Sequence, residues 1–357
     1  MSIFYFKTYR IIVNLHKIVL YIFLKYFQVY STGKFKSFEY FGDESFGKLL
    51  EEYLGIKASN SYGYFNSENL IIVEKFNLNI FLKNVFRLNR LRVVDKNYFG
   101  LVGANTLFRL KYNDFTKNDE RLKIIQKSLE NYKDFEKNIK NKENIFALGN
   151  NEQFSKILDK HKPSVLLTCN SAVNNKNIFN SDLLVLSFSD PLFHFGLNEQ
   201  AINYRKKIEE TLKVVDIEMY LVVPIEGIPL VETLAIDKKI KVIGLDSKYF
   251  QRKLIKIKKN KIFTRNSHNV FTQYLLPISS LNLNTINIGA VTFSSKENFS
   301  NNLWSHDKNL KEVANYNFAY DESFFGDRDF KKYYKFHDKQ LARIVSKIVK
   351  KRIINEN

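Results

Sequence analysis

An α/β architecture, built on a mainly parallel sheet flanked by helices, is what this sequence predicts. Three observations carry that expectation. From residue 143 onward, short and wholly apolar runs alternate with segments of helical spacing. Runs without polar alternation mark strands buried on both faces, the usual state of strands in a parallel sheet. All five prolines (Pro163, Pro191, Pro224, Pro229, Pro277) fall in this same part of the chain. Ahead of it, residues 112–142 are highly charged and mostly helical in pattern, with Leu122, Ile125, Leu129 and Phe135 at roughly helical spacing. A boundary is therefore placed near Lys142, separating an N-terminal accessory region, 1–142, from an α/β domain, 143–357.

The elements follow in order. Residues 144–148 form a first strand and end in Gly149-Asn150-Asn151; a helix over 152–161 follows. Residues 164–169 are a second strand, ending at Asn170-Ser171, and 182–188 a third, ending at Ser189-Asp190-Pro191. A long helix over 198–215 leads to strands at 219–223 and 240–245, with a short helix over 229–236 between them. A buried helix over 271–281 and a sixth strand over 285–293 complete a Rossmann-like pattern. In the accessory region, residues 69–73 read as a strand. Residues 4–27 form an aromatic helix punctuated by Lys7, Arg10, Lys17 and Lys25. Two readings stand for it: a helix lying on an anionic membrane surface, or one packed on the protein's own core. His16 and Lys17 split its apolar stretches, so it is too short to span a bilayer, and no small-residue site marks a cleaved signal.

Composition narrows the chemistry. A formal charge of +19 attracts polyanions such as nucleic acid, anionic lipid or phosphorylated small molecules. An AT-rich coding bias, visible in the abundance of Lys, Asn, Ile, Phe and Tyr, is a second source of the same excess. Basic runs at 252–261 and 347–352 belong to no nucleic-acid motif and read first as solvated faces, and second as contacts to phosphate backbones or anionic lipid. The single cysteine, Cys169, excludes an internal disulfide and a Cys-rich metal site. No G-x-x-x-x-G-K-[ST] loop or G-x-G-x-x-G fingerprint is present, which removes support for P-loop enzymes and ordinary dehydrogenases.

Parallel sheets bind ligands at the carboxyl ends of their strands. Gly149, Asn150 and Asn151, then Asn170, then Ser189 and Asp190, sit just beyond three such ends. Small and amide residues there let backbone approach a nucleotide while side chains bond base, ribose or phosphate. The same residue types also simply make turns.

Phe146-Ala-Leu-Gly-Asn-Asn-Glu-Gln-Phe154 resembles the glycine-asparagine loop that opens bacterial CMP-sialic-acid-dependent sialyltransferases. Cys169-Asn170 and Ser189-Asp-Pro-Leu-Phe-His-Phe195 resemble the family's next two strand-end motifs, and residues 266–289 its later helix and strand. Lys335-Phe-His337, read as lying before a helix, resembles the segment that supplies the family's catalytic histidine. The resemblance covers about residues 144–350, in order and rough spacing, and extends to surface-carbohydrate biosynthesis proteins. Departures are Asn151 for a second glycine, Asp190 for an asparagine, and Gly289-Ala290-Val291 where the family carries a carboxylate.

The resemblance implies a glycosyltransferase that moves a sugar, an acidic one from a CMP donor, to a hydroxyl of a glycan or lipid-linked acceptor. It implies His337 as general base, with His306 of Trp304-Ser-His-Asp307 as rival, and Tyr333 and Tyr334 as partners of the donor phosphate. Arg328, in Asp327-Arg328-Asp329, is either an anion partner or part of a helix cap. No metal and no cofactor is implied. The expected partners are a nucleotide-sugar donor and a glycan or lipid-linked acceptor, and the expected place is the cytoplasm, peripheral at the inner face of the plasma membrane. Two other classes remain open: a basic nucleic-acid-binding protein, which is the weaker expectation, and a non-catalytic relative of the transferases.

Overall fold

The computed structural model describes residues 35–59, 69–74, 78–84, 89–94, 106–191, 193–197, 199–248, 251–267, 269–291 and 330–356. The expected helix over 4–27 lies outside them. The chain forms two compact units, Met1–Asn118 and Asp119–Asn357.

In the first unit, β1 (Ser37–Phe41), β2 (Asn69–Val73) and β3 (Leu91–Val93) form a parallel sheet in the order β1-β2-β3. Helix α1 (Glu44–Leu54) follows β1. Asp43 starts it by accepting a hydrogen bond from the Phe46 amide at 3.1 Å, and Gly55, at φ 66°, ends it in the left-handed region. Central β2 is buried throughout, as its uniformly apolar side chains after Asn69 require. Short β3 carries a charge inward. The Arg92 fork meets Asp114, Nε donating to Oδ2 at 3.0 Å and Nη2 to Oδ1 at 2.8 Å, while Nη1 donates to the carbonyls of Asn89 and Leu91. Both side chains are buried, and the bidentate geometry with filled donors is what makes such burial tolerable.

The second unit opens with α2 (Asn118–Ile139). Its strands are β4 (Ile145–Leu148), β5 (Val165–Cys169), β6 (Leu183–Ser187), β7 (Glu218–Pro224), β8 (Lys241–Lys248), β9 (Lys256–Lys258), β10 (Lys261–Arg265) and β11 (Ile286–Gly289). They form one sheet in the order β11-β4-β5-β6-β7-β8-β10-β9, parallel except for the β9–β10 hairpin. The α/β class with a mostly parallel, helix-flanked sheet is thus observed. The hairpin falls in the basic run 252–261, with Lys259 and Asn260 both at positive φ, as a two-residue turn demands.

Alternate strand residues face alternate sides. One face, with Ile145, Ala147, Val165, Leu167, Leu183, Val185, Tyr220, Val222, Ile243 and Leu245, packs against α2, the helical run 270–279 and the C-terminal helix α5 (Phe330–Glu356). The other face is covered by segments that link consecutive strands: α3 (Phe154–His161) after β4, α4 (Glu199–Leu212) after β6, and the turn Ile228–Val231 after β7. Gly244 belongs to this side, where an added Cβ would meet the Ile228 and Ile225 side chains at 2.6 and 2.7 Å.

Helix α2 settles the division of the chain. Leu129, Tyr132, Phe135 and Ile139 bury in the core of the second unit, so the boundary lies ahead of this helix and not behind it at Lys142. Leu122, expected on its apolar stripe, is 65% exposed; the buried face instead includes two polar residues, Ser128 and Asn131. They have a specific task. β8 pairs with β7 through residues 241–245 and with β10 only from Asp246 onward. On the side away from β7, residues 241–245 would be left with open backbone groups. The Ser128 hydroxyl accepts from the Gly244 amide at 2.7 Å and donates to its carbonyl at 3.0 Å, and Asn131 Nδ2 donates to the Val242 carbonyl at 2.7 Å. At the opposite end of α2, Asn282 Nδ2 donates to the carbonyls of Ile139, Lys140 and Lys142, satisfying groups that a helix terminus leaves free. Among the described residues, no helix is long and apolar enough to cross a membrane.

Candidate functional site

The strand order contains one reversal. From β4 to β8 the chain steps steadily across the sheet, then returns through the run 270–279 to place β11 beside β4. The segment after β4 covers one face, and the C-terminal helix that follows β11 covers the other. Adjacent strands whose continuations diverge in this way open a crevice at their carboxyl ends.

Gly149 and Ala290 stand where these two strand ends meet. The Gly149 amide donates to the Gly289 carbonyl at 3.0 Å, and the Asn151 amide to the Ala290 carbonyl at 3.2 Å. A Cβ on Gly149 would lie 2.3 Å from the Ala290 oxygen, so only glycine allows the approach. Ala290 itself sits at φ 52° and is buried; Asn170, at the end of β5, sits at φ 51°. Strained backbone of this kind persists only where the surroundings hold it, and it concentrates at functional sites. Here Tyr204 of α4 holds Asn170 by donating to its carbonyl at 2.9 Å.

The loops after β4 and β5 are joined across the mouth by Asn150 Nδ2, which donates to Ser171 Oγ at 3.0 Å. Two buried oxygens beside them, Thr168 Oγ1 and Asn170 Oδ1, have no hydrogen-bond partner among the described residues. Thr168 is 0% exposed. Buried polar atoms are almost always satisfied, so two orphans on one strand end call for an occupant. Thr168 was not singled out from the sequence, though it is the one polar side chain inside the apolar run 165–169.

Aligned pairing of β4, β5 and β6 brings Gly149, Asn150, Asn151, Asn170, Ser189 and Asp190 to one sheet edge. Their roles differ. Asn151 is buried, and its Oδ1 accepts from the Gln153 amide at 3.0 Å, a turn contact. Asp190 also closes a turn: Oδ1 accepts from the Phe193 amide at 3.1 Å, its amide donates to His194 Nδ1 at 2.9 Å, and its carbonyl accepts from the His194 amide at 3.0 Å. Burial, aided by the Arg205 cation, pushes the His194 imidazole down to about 3, so its ring is a neutral acceptor. Ser189 is half-buried beside that turn. Cys169 points to the α2 face, and burial pushes its thiol up to about 12, which removes it as a nucleophile.

His337 lies within α5, which already begins at Phe330; the expectation that the residue precedes a helix is corrected. It is 3% exposed, one turn ahead of the core residue Leu341, and neither ring nitrogen has a partner among the described residues. Burial lowers its pKa, with Asp338 opposing, so the neutral base form is favoured. Tyr333 and Tyr334 lie in the first turns of the same helix, with side chains outside the described set. His306 and Arg328 lie outside the described residues. No cluster of three or more His, Cys, Asp or Glu side chains able to hold a metal occurs among the described residues. The crevice therefore offers amides, hydroxyls and backbone groups, a set suited to an uncharged, hydroxyl-rich or heterocyclic ligand surface. Compared with family models, curated proteins and solved structures, the chain matches none.

Proposed function

We propose that the second unit is a Rossmann-like nucleotide-sugar-binding domain and that the protein is a glycosyltransferase of surface polysaccharide or lipid-linked glycan assembly. The observation that carries this reading is the coincidence of the strand reversal at β11–β4 with the unpartnered oxygens of Thr168 and Asn170. Gly149 keeps the ends of β4 and β11 close together, and Asn150, Asn170 and Ser171 bond base or ribose. The donor is an acidic sugar on CMP, in keeping with the motif order from Gly149 to His337. His337 accepts the proton of the acceptor hydroxyl as the glycosidic bond to the nucleotide breaks, and the nucleotide leaves with the bonding electrons. A neutral imidazole suits that task, and its loss typically costs ~10²–10⁴-fold in rate. Tyr333, Tyr334 and Arg328 are proposed to meet the departing phosphate. The protein works in the cytoplasm at the inner membrane face.

Thermal unfolding with CMP, UDP and GDP tests this. A ligand at a hundred times its Kd stabilises by about 2.7 kcal/mol. CMP is expected to raise Tm by several degrees, with UDP and GDP giving less. His337→Ala is expected to keep that shift and lose turnover. No shift with any nucleotide, together with salt-sensitive binding to DNA, overturns the proposal.

A further inference from the structure

At the carboxyl ends of β8 and β10 the structure gathers positive charge that no carboxylate among the described residues pairs with. Arg265 closes β10 and pairs in register with Lys248 of β8. Arg343 and Lys347 stand one turn apart on α5. Lys347 Nζ donates to the carbonyl of Arg252, which ties this part of the helix to the loop after β8. Arg265 Nε is buried and has no hydrogen-bond partner among the described residues. Among the described residues, no carboxylate forms an ion pair with Arg265, Arg343 or Lys347. Burial and then Arg343 hold the Arg265 pKa below its ordinary value; burial, Arg343 and Arg265 do the same to Lys347. Like charges therefore crowd here, partly removed from water, which is unfavourable unless an anion neutralises them.

We infer that Arg265, Arg343 and Lys347 form a binding site for a phosphoryl group, separate from the crevice between β11 and β4. The chemistry selects the ligand class. A guanidinium fork bonds two oxygens of one anion, and a lysine adds a point charge. Three cations exceed what a single carboxylate neutralises; a phosphate monoester, with about two negative charges, or the more highly charged diphosphate matches them better. The group can belong to a soluble phosphate or to a lipid headgroup, since both present the same oxygens.

The test uses the full chain and two probes at constant ionic strength: pyrophosphate by calorimetry, and vesicles of phosphatidylcholine with or without phosphatidic acid by co-sedimentation. The double variant Arg343→Gln with Lys347→Gln neutralises half-exposed positions and is expected to fold, as circular dichroism will show. Its affinity for whichever probe binds should fall at least ~10-fold, in line with loss of charged hydrogen bonds. The charge-preserving pair Arg343→Lys with Lys347→Arg should keep most of the affinity. Lys123→Gln with Lys133→Gln, on exposed positions of α2, removes the same charge elsewhere and should leave binding intact. Binding of pyrophosphate identifies a soluble phosphate and binding of vesicles alone a headgroup; either supports the site if the first double variant loses it. Binding of neither probe, or equal loss in the α2 control, overturns it. The CMP response does not depend on these residues, so this inference and the nucleotide reading fail separately.

Discussion

At Gly149 a missing side chain decides how β4 and β11 meet. An added methyl would occupy space 2.3 Å from the Ala290 carbonyl oxygen, a backbone atom that cannot swing away. Gly149→Ala is therefore expected to destabilise the second unit by about 1–3 kcal/mol, the usual cost of overpacking, and to abolish any CMP-dependent rise in Tm. Urea unfolding followed by tryptophan-independent far-ultraviolet dichroism checks the first, thermal unfolding the second. The sequence made this glycine visible because it ends an apolar run. It did not make Ala290 visible, because alanine has no preference for the left-handed region, and only the finished sheet shows that it is held there. Asp190 illustrates the reverse. Its position past a strand end was legible, yet its carboxylate is spent on the Phe193 amide.

Among the elements, those buried on both faces were legible and the short or basic ones were not. β4 to β8 match their apolar runs to within a few residues because an uninterrupted run leaves no other solution in a parallel sheet. The β9–β10 hairpin stayed hidden because its lysines alternate with apolar residues on an edge, where solvation of charge is natural. In the first unit, β3 is only three residues and has a charged centre, so its pattern says nothing until Asp114 is placed against Arg92. That pair yields a prediction at this scale. Arg92→Ala strands a buried carboxylate and should cost about 3–5 kcal/mol of the first unit's stability. Arg92→Met combined with Asp114→Leu should recover most of it, because no uncompensated charge remains. Denaturant midpoints of the three proteins decide.

Across the whole molecule, acidity should act through histidines before it acts through carboxylates. His194 has a folded pKa of about 3 against an ordinary 6.5, and that of His337 is also lowered. Between these values the unfolded chain binds protons that the folded chain refuses. The stabilisation from His194 is therefore complete above about pH 6.5 and drains away as pH falls toward 3, at about 1.4 kcal/mol per pH unit, and the lowered pKa of His337 acts in the same direction. Urea midpoints measured from pH 7 to pH 4.5 should fall accordingly, and His194→Asn, which retains an acceptor for the Asp190 amide, should flatten the slope by one proton. An unchanged slope would place the protons elsewhere.

The bond between Ser128 and Gly244 has a consequence in time as well as in space. A strand amide exchanges with solvent hydrogen only when its partner strand departs, but the partner of this one is a serine on a helix. Protection of the Gly244 amide should therefore report the opening of α2, not that of a strand. In Ser128→Ala, the Gly244 amide should exchange faster by orders of magnitude while the amides of Ile243 and Leu245, which face β7, keep their rates. Gly244 would then be seen to exchange through the opening of α2 alone, with β7 and β8 still paired.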